Sequence, residues 1–281
     1  MTIRIDQPSD GVRLLTIDRP ERRNAIDLAT YRALTAAIDD ADRDPEVRCC
    51  VVTGAGNVFT SGNDLADFQQ PQEPGGTSEA YAFLLTLVGV GKPLVAAVEG
   101  FAVGVGVTML LHFDMAFAGT SSQFRLPFVD LGLCPEGGSS YLLPQVAGLK
   151  RASELLMLSE KFDAECAAKA GLINDVVEDG HALDTALARA RALAAAPAES
   201  VQLAKMLLRQ PHREAVVRAI DTEAVHFTER LGSADAQAAF SRFFSTKRPT
   251  VHTGPGPAWS DSRSKLDATR VPRPAIAVAT G

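Results

Sequence analysis

The chain has 281 residues, 46 % of them hydrophobic and 22 % charged, with a formal net charge of −6. That is ample material for a large core, and an acidic balance without a basic stripe argues against a nucleic-acid partner. No apolar run reaches the length needed to span a bilayer. The opening Met1-Thr-Ile-Arg-Ile-Asp6 lacks the basic-then-apolar layout of an export signal, so no membrane association and a cytoplasmic location are expected.

The elements alternate through the first half. Residues 1–6 and 11–18 read as strands, 28–43 as a helix stopped by Asp44-Pro45, and 47–53 as a buried strand. Within that strand Cys49 and Cys50 are adjacent, so they point to opposite faces and read as core residues. Residues 61–68 look like the start of a helical piece. Residues 69–77, QQPQEPGGT, form a Gln/Pro/Gly-rich loop, a candidate lid. A helix over 78–89 and a buried strand over 94–98 follow. Residues 100–106 form a glycine-rich turn, and a helix begins over 107–111.

Further strands are expected over 114–118 and 123–126, then helices over 139–146, 152–158 and 163–171, and a short strand over 173–177. The strand–turn–helix rhythm predicts an α/β protein. From residue 183 the pattern is helical: 183–195, 200–208, 213–230 and 234–244. Over residues 249–281 five prolines (249, 255, 257, 272, 274) punctuate a segment with little apolar pattern, which reads as a poorly packed tail. The expected organisation is a core over 1–198, a helical region over 199–248 and the tail over 249–281.

Three segments carry chemistry. In Leu131-Gly-Leu-Cys-Pro-Glu-Gly-Gly-Ser-Ser140 the carboxylate of Glu136 sits between a proline and two glycines, just before a helix. An acid held beside apolar walls has a raised pKa and can shuttle protons near neutrality. The plainer reading is that Glu136 only favours a helix N-terminus. The second segment is residues 54–65, where Gly62 permits a tight turn and leaves the N–H of Asn63 free. The third is Gly104-Val105-Gly106, where small residues expose the N–H of Val105.

Two such donors on one oxygen make an oxyanion hole, each worth about 10²–10³ in rate. The glycine loop could instead serve helix packing or a dinucleotide fingerprint. The latter lacks its third glycine, because Met109 stands there. Asp64 reads first as a helix-start acid. No Cys-x-x-Cys pair or histidine cluster suggests a metal, and no Gly-x-Ser-x-Gly elbow is present.

In combination, residues 61–65 (Ser-Gly-Asn-Asp-Leu), Lys92-Pro93, residues 99–106, residues 168–172 (Ala-Lys-Ala-Gly-Leu) and Pro135-Glu136-Gly-Gly-Ser-Ser-Tyr141 resemble the crotonase superfamily, the enoyl-CoA hydratase/isomerase fold, over roughly residues 3–247. They are most similar to the peroxisomal-type Δ3,Δ2-enoyl-CoA isomerases and their bacterial relatives. The resemblance implies a crotonase (ClpP-like) spiral of ββα units with a C-terminal helical trimerisation region, assembled as a trimer or a dimer of trimers. It implies an acyl-CoA thioester substrate, with no cofactor beyond the coenzyme A of that substrate.

By the same resemblance, Asn63 and Val105 hold the thioester oxygen through their N–H groups and Glu136 is the catalytic acid. The two glutamates of hydratases fall at Thr108 and Phe128, so both are missing, and Phe128 makes the pocket drier. Ser61, Asp64, Leu65, Phe68, Phe101, Gly104 and Phe128 are the implied substrate contacts, with Lys92 and a neighbour's Lys247 offered for the coenzyme A phosphates. The implied reaction is the shift of a 3-enoyl-CoA to a 2-trans-enoyl-CoA in fatty-acid β-oxidation. A hydratase-type enzyme and a non-catalytic acyl-CoA binder remain the alternatives.

Overall fold

A computed structural model describes residues 2–67 and 78–246. The candidate lid over 69–77 and the tail over 249–281 lie outside those residues, as do Phe68 and Lys247.

Two sheets organise the chain. The larger has the order β1-β2-β3-β4-β6-β9, built from Ile3–Ser9 (β1), Val12–Ile17 (β2), Cys49–Gly54 (β3), Leu94–Val98 (β4), Met115–Gly119 (β6) and Asp175–Val177 (β9). β1 and β2 are antiparallel and every later pairing is parallel. The smaller sheet joins Phe101–Val103 (β5), Gln123–Arg125 (β7) and Lys161–Asp163 (β8) in the order β5-β7-β8. The chain visits the large sheet, then the small one, then a helix: β4, β5 and α3 (Val105–Thr108), followed by β6, β7 and α4 (Ser139–Ala147). This is the repeating ββα unit of the crotonase fold.

The parallel strands are apolar on both faces because both faces are covered. Cys50, Val52, Leu94, Ala96 and Val98 join the main core, with Leu34 and Ile38 of α1 (Leu28–Arg43) and Phe83 of α2 (Glu79–Gly89). The alternate residues Cys49, Val51, Val95 and Ala97 meet Ala182, Ala186 and Ala190 of α7 (Ala182–Ala195). Cys49 and Cys50 therefore lie in different cores, as their adjacency predicts. Asp27 and Ser78 cap α1 and α2, accepting from Thr30 N–H and Tyr81 N–H.

The C-terminal part is helical but simpler than the sequence suggests. In place of two helices broken near Pro211, one helix of 34 residues, α8, spans Ala198–Leu231 with Pro211 inside it. A proline removes its own N–H bond and crowds one carbonyl, and packing on both sides of it outweighs that cost. Ahead of it Lys205 donates to Lys92 O and Asp114, and Arg209 to the carbonyls of Leu111, His112 and Phe113. Beyond it Val216 and Ile220 are buried in the main core. α5 (Leu149–Leu158), α6 (Ala164–Lys169) and α9 (Ala234–Thr246) complete the described helices.

Candidate active site

The first loop does not begin a helix at residue 61. Residues 61–64 are irregular apart from one bridge, Ile26 with Asn63, residues 65–66 form a turn, and helical geometry first occurs at Asp67, as a 3-10 turn. Gly62 O accepts from Ile26 N–H and Asp64 N–H donates to Ile26 O. Since neighbouring peptide groups in such a bridge alternate in direction, the N–H of Asn63 faces away, and it has no acceptor among the described residues. Asn24 anchors the loop from below. It is fully buried with a left-handed φ of 54°, and its amide donates to Ala55 O and Val58 O.

The second loop is stitched to the first by main chain. Thr60 N–H donates to Phe101 O and Val103 N–H to Thr60 O. The contact is so close that a Cβ on Gly62 would sit 2.4 Å from Val103 O, and one on Gly106 would sit 2.5 Å from the Thr60 methyl. Gly104 takes a φ of 55° and its carbonyl accepts from Val107 and Thr108, starting α3. Val105 N–H, in the first turn of that helix, has no acceptor among the described residues. Asn63 directly follows Gly62, and Val105 lies between the contact residues Val103 and Gly106, so both donors adjoin the place where the two loops touch.

Glu136 comes from the third segment and shares a cleft with Asn63, whereas Gly104 and the fully buried Val105 lie outside that cleft's lining. Its carboxyl Oε1 accepts a 2.6 Å hydrogen bond from Thr108 Oγ1, and a Cβ on Gly137 would lie 2.9 Å from that hydroxyl. Burial pushes the Glu136 pKa from 4.5 up to about 7; the Thr108 hydrogen bond opposes the rise, and the nearby charge of Glu223 adds to it. His112 Nε2 lies 2.7 Å from Gly137 O. Burial lowers the His112 pKa to about 4, so the ring is neutral at pH 7 and its N–H donates to that carbonyl.

Asn63, Asp64, Glu136 and Gly137 line one cleft, with Tyr31 from α1, Leu84 from α2, and Ile220, Glu223, Phe227 and Leu231 from α8. Tyr31 is buried and its hydroxyl donates to the Asn63 side chain. Its pKa is raised well above the ordinary value by burial first, then by Glu136 and Asp67.

Residues 7–254 match the family model for enoyl-CoA hydratase/isomerase. The chain belongs to that family. It is 34 % identical over 246 residues to a 1,2-epoxyphenylacetyl-CoA isomerase of Escherichia coli (strain K12), covering 85 % of this chain and 94 % of that one. It is 33 % identical to enoyl-CoA delta isomerase 2 of Rattus norvegicus over 86 % of this chain, and spans 63 % of the length of that relative. The crystal structure of an enoyl-CoA hydratase/isomerase from Pseudoalteromonas atlantica T6c superposes with a TM-score of 0.84 at 37 % identity, over 89 % of this chain and 99 % of that one.

Within this hydratase/isomerase family member, several residues expected at the site lie elsewhere. Lys92 is buried and its ammonium group donates to Ala41 O at 2.9 Å and to Asp44 O, at the C-terminal end of α1. It closes a helix and does not face the cleft. Phe128 is 3 % exposed and packed in the main core. The dry walls of the cleft are instead Leu84, Ile220, Phe227 and Leu231. Phe101 is 40 % exposed on β5 and outside the cleft lining. Leu65 packs on the main core, and Ser61 donates its N–H to Arg23 O. Asp64 does line the cleft, 3.7 Å from both Arg19 and Arg22.

The site also holds residues that sequence reading missed. Thr108 stands out only as a missing acid, yet its hydroxyl holds Glu136. Tyr31 and Glu223 sit in helices whose periodicity marks them as ordinary face residues. A polar side chain on an apolar stripe was the one signal available for Glu223.

Proposed function

We propose that the protein is a Δ3,Δ2-enoyl-CoA isomerase acting in fatty-acid β-oxidation. The observation that carries this reading is a single carboxylate free to react, Glu136, set in a largely apolar cleft beside the N–H of Asn63. With the thioester oxygen held by the N–H groups of Asn63 and Val105, the C2 protons of a 3-enoyl-CoA become acidic. Glu136 takes one of them, and the electron pair spreads onto the oxygen as a dienolate. The protonated acid returns the proton to C4, leaving the double bond between C2 and C3. A carboxyl with a pKa of about 7 suits both halves of that transfer at neutral pH, because neither protonation state is scarce. Coenzyme A enters only as part of the substrate.

A hydratase needs a second acid to activate water. Among the described residues the other carboxylates of the cleft are already engaged: Asp64 lies beside Arg19 and Arg22, Asp67 accepts from Leu28 N–H, and both oxygens of Glu223 accept backbone N–H groups, which favours isomerisation over hydration. Homo-oligomeric assembly, as a trimer or a dimer of trimers, belongs to the same proposal. It is supported by exposed apolar side chains on α5 (Leu149, Met157, Leu158) and α8 (Leu203, Leu207, Leu208).

The test is a spectroscopic isomerase assay with 3-hexenoyl-CoA and longer 3-enoyl-CoAs, using Glu136→Gln as control. Loss of about 10² or more in kcat is expected for the variant. Substantial hydration of crotonyl-CoA by the parent protein would instead support the hydratase reading. Normal acyl-CoA binding without turnover in the parent would support a binding protein.

A further inference from the structure

The turn that carries Glu136 has one bond within its own segment, Ser139 N–H to Glu136 O at 3.2 Å, and draws its other support from elsewhere. Gly137 and Gly138 both take left-handed angles, φ 73° and 71°, and α4 begins after Gly138 with no side-chain cap. The first N–H groups of a helix need acceptors from outside. Here they come from α8: Glu223 Oε2 accepts from Gly138 N–H at 2.6 Å and Oε1 from Ser140 N–H at 2.8 Å. Glu223 is only 7 % exposed. The two charge-assisted bonds and the positive end of α4 explain how a carboxylate is kept there.

Glu223 lines the same cleft as Glu136, and among the described residues neither acid forms an ion pair. The titratable groups around Glu136 are Tyr31 from α1, His112 through the Gly137 carbonyl, Cys134 on its own loop, Glu223, and, lining the same cleft, Tyr81, Asp64 beside Arg19 and Arg22, and Asp67, which accepts from Leu28 N–H. Tyr31 and Cys134 have raised pKa values and His112 a lowered one, so all three are neutral at pH 7. Burial raises the pKa of Glu223 too, against the hydrogen bonds from Ser140 and Gly138, and its charge is the one that raises the pKa of Glu136.

We infer that Glu223 is a positioning residue: from α8 it fixes the Gly137–Gly138 turn, and through it the direction in which Glu136 presents its carboxyl group. The inference rests on Glu136 as the proton carrier. Replacement by glutamine keeps one acceptor oxygen but turns an NH₂ group toward the other backbone N–H. It also removes the like charge beside Glu136, which lets that acid ionise at lower pH.

The experiment pairs 3-hexenoyl-CoA kinetics with infrared titration of the carboxylic-acid band in the substrate-free protein, Glu136→Gln identifying the contribution of Glu136. For Glu223→Gln we expect kcat to fall about 10-fold or more, KM to stay within about threefold, and Glu136 to titrate at lower pH than in the parent. A folded Glu223→Gln protein with unchanged kcat overturns the proposal. So does reduced kcat with an unchanged Glu136 titration, which marks a purely structural cap. If Glu223→Gln does not fold, Glu223→Asp decides, since it keeps the charge with a shorter reach. For that variant, kcat reduced with KM within about threefold supports positioning, and full kcat overturns it. The titration needs no turnover, so a parent without isomerase activity would refute the functional reading while still testing Glu223.

Discussion

The donor side of the cleft and the acid side are held in different ways. Around Asn63 and Val105 the contacts are mostly main chain to main chain: Thr60 with Phe101 and Val103, Ile26 with Gly62 and Asp64. Around Glu136 they are side chains from elsewhere: Thr108, His112 and Glu223. A donor fixed by sheet-like pairing has almost no conformational freedom and needs only small residues beside it. The proton transfer proposed for Glu136 needs a defined direction together with an adjustable pKa, and side chains supply both.

Substitutions that strike one side alone separate these two modes. The largest effect on the donor side is expected from Gly62→Ala. Its Cβ would fall 2.4 Å from Val103 O on a backbone with φ 84°, so the loops must part. Steady-state kinetics should show kcat reduced by about 10²–10³, with Glu136 titrating as in the parent. A variant as active as the parent would mean that the loops are not held by this contact.

On the acid side Thr108→Val should cost less, about 10-fold in kcat/KM. It should carry a signature that the donor side lacks. The lost hydrogen bond favours the ionised acid, so the acid limb of the pH profile should move to higher pH, and Thr108→Ser should restore it. An unmoved limb would separate Thr108 from the ionisation of Glu136.

Stability gives a third contrast. A folded pKa of about 7 against an ordinary 4.5 means that the folded state binds more protons than the unfolded one between those values. Stability therefore falls as pH rises through that window and stays lower above it. Glu136→Gln keeps an oxygen for Thr108 and removes the ionisation. At pH 8 it should be more stable than the parent by about 1–3 kcal/mol, after allowance for the partly open cleft, and near pH 4 the two should melt together. Thermal melts at both pH values test this; equal melting at pH 8 would contradict the raised pKa. The smallest functional effect is expected from Lys92→Met. KM should stay within about twofold, while loss of the bonds at the end of α1 lowers the melting temperature.

The same contrast explains what was legible in the sequence. Glycines at 62, 104, 137 and 138 and the alternation around Cys49 and Cys50 report local backbone geometry, so the loops, the strands and α1 could be read directly. Lys92 and Phe128 were misplaced because motif spacing gives a position along the chain but not the direction of a side chain. Pro211 suggested a break that tertiary packing on both halves of α8 overrides. Glu223 was hidden because its partners, Gly138 and Ser140, lie 85 and 83 residues away, and no local pattern records such a contact.

That separation has a consequence for the order of synthesis. A nascent chain stopped anywhere between Ser140 and Glu223 already contains both donor loops and the whole motif around Glu136. It lacks the acceptor for the Gly138 and Ser140 N–H groups and the cleft wall formed by Ile220, Glu223 and Phe227. The acid proposed to react is thus translated long before the acceptor for its turn, and the cleft is complete only when α8 has folded onto it.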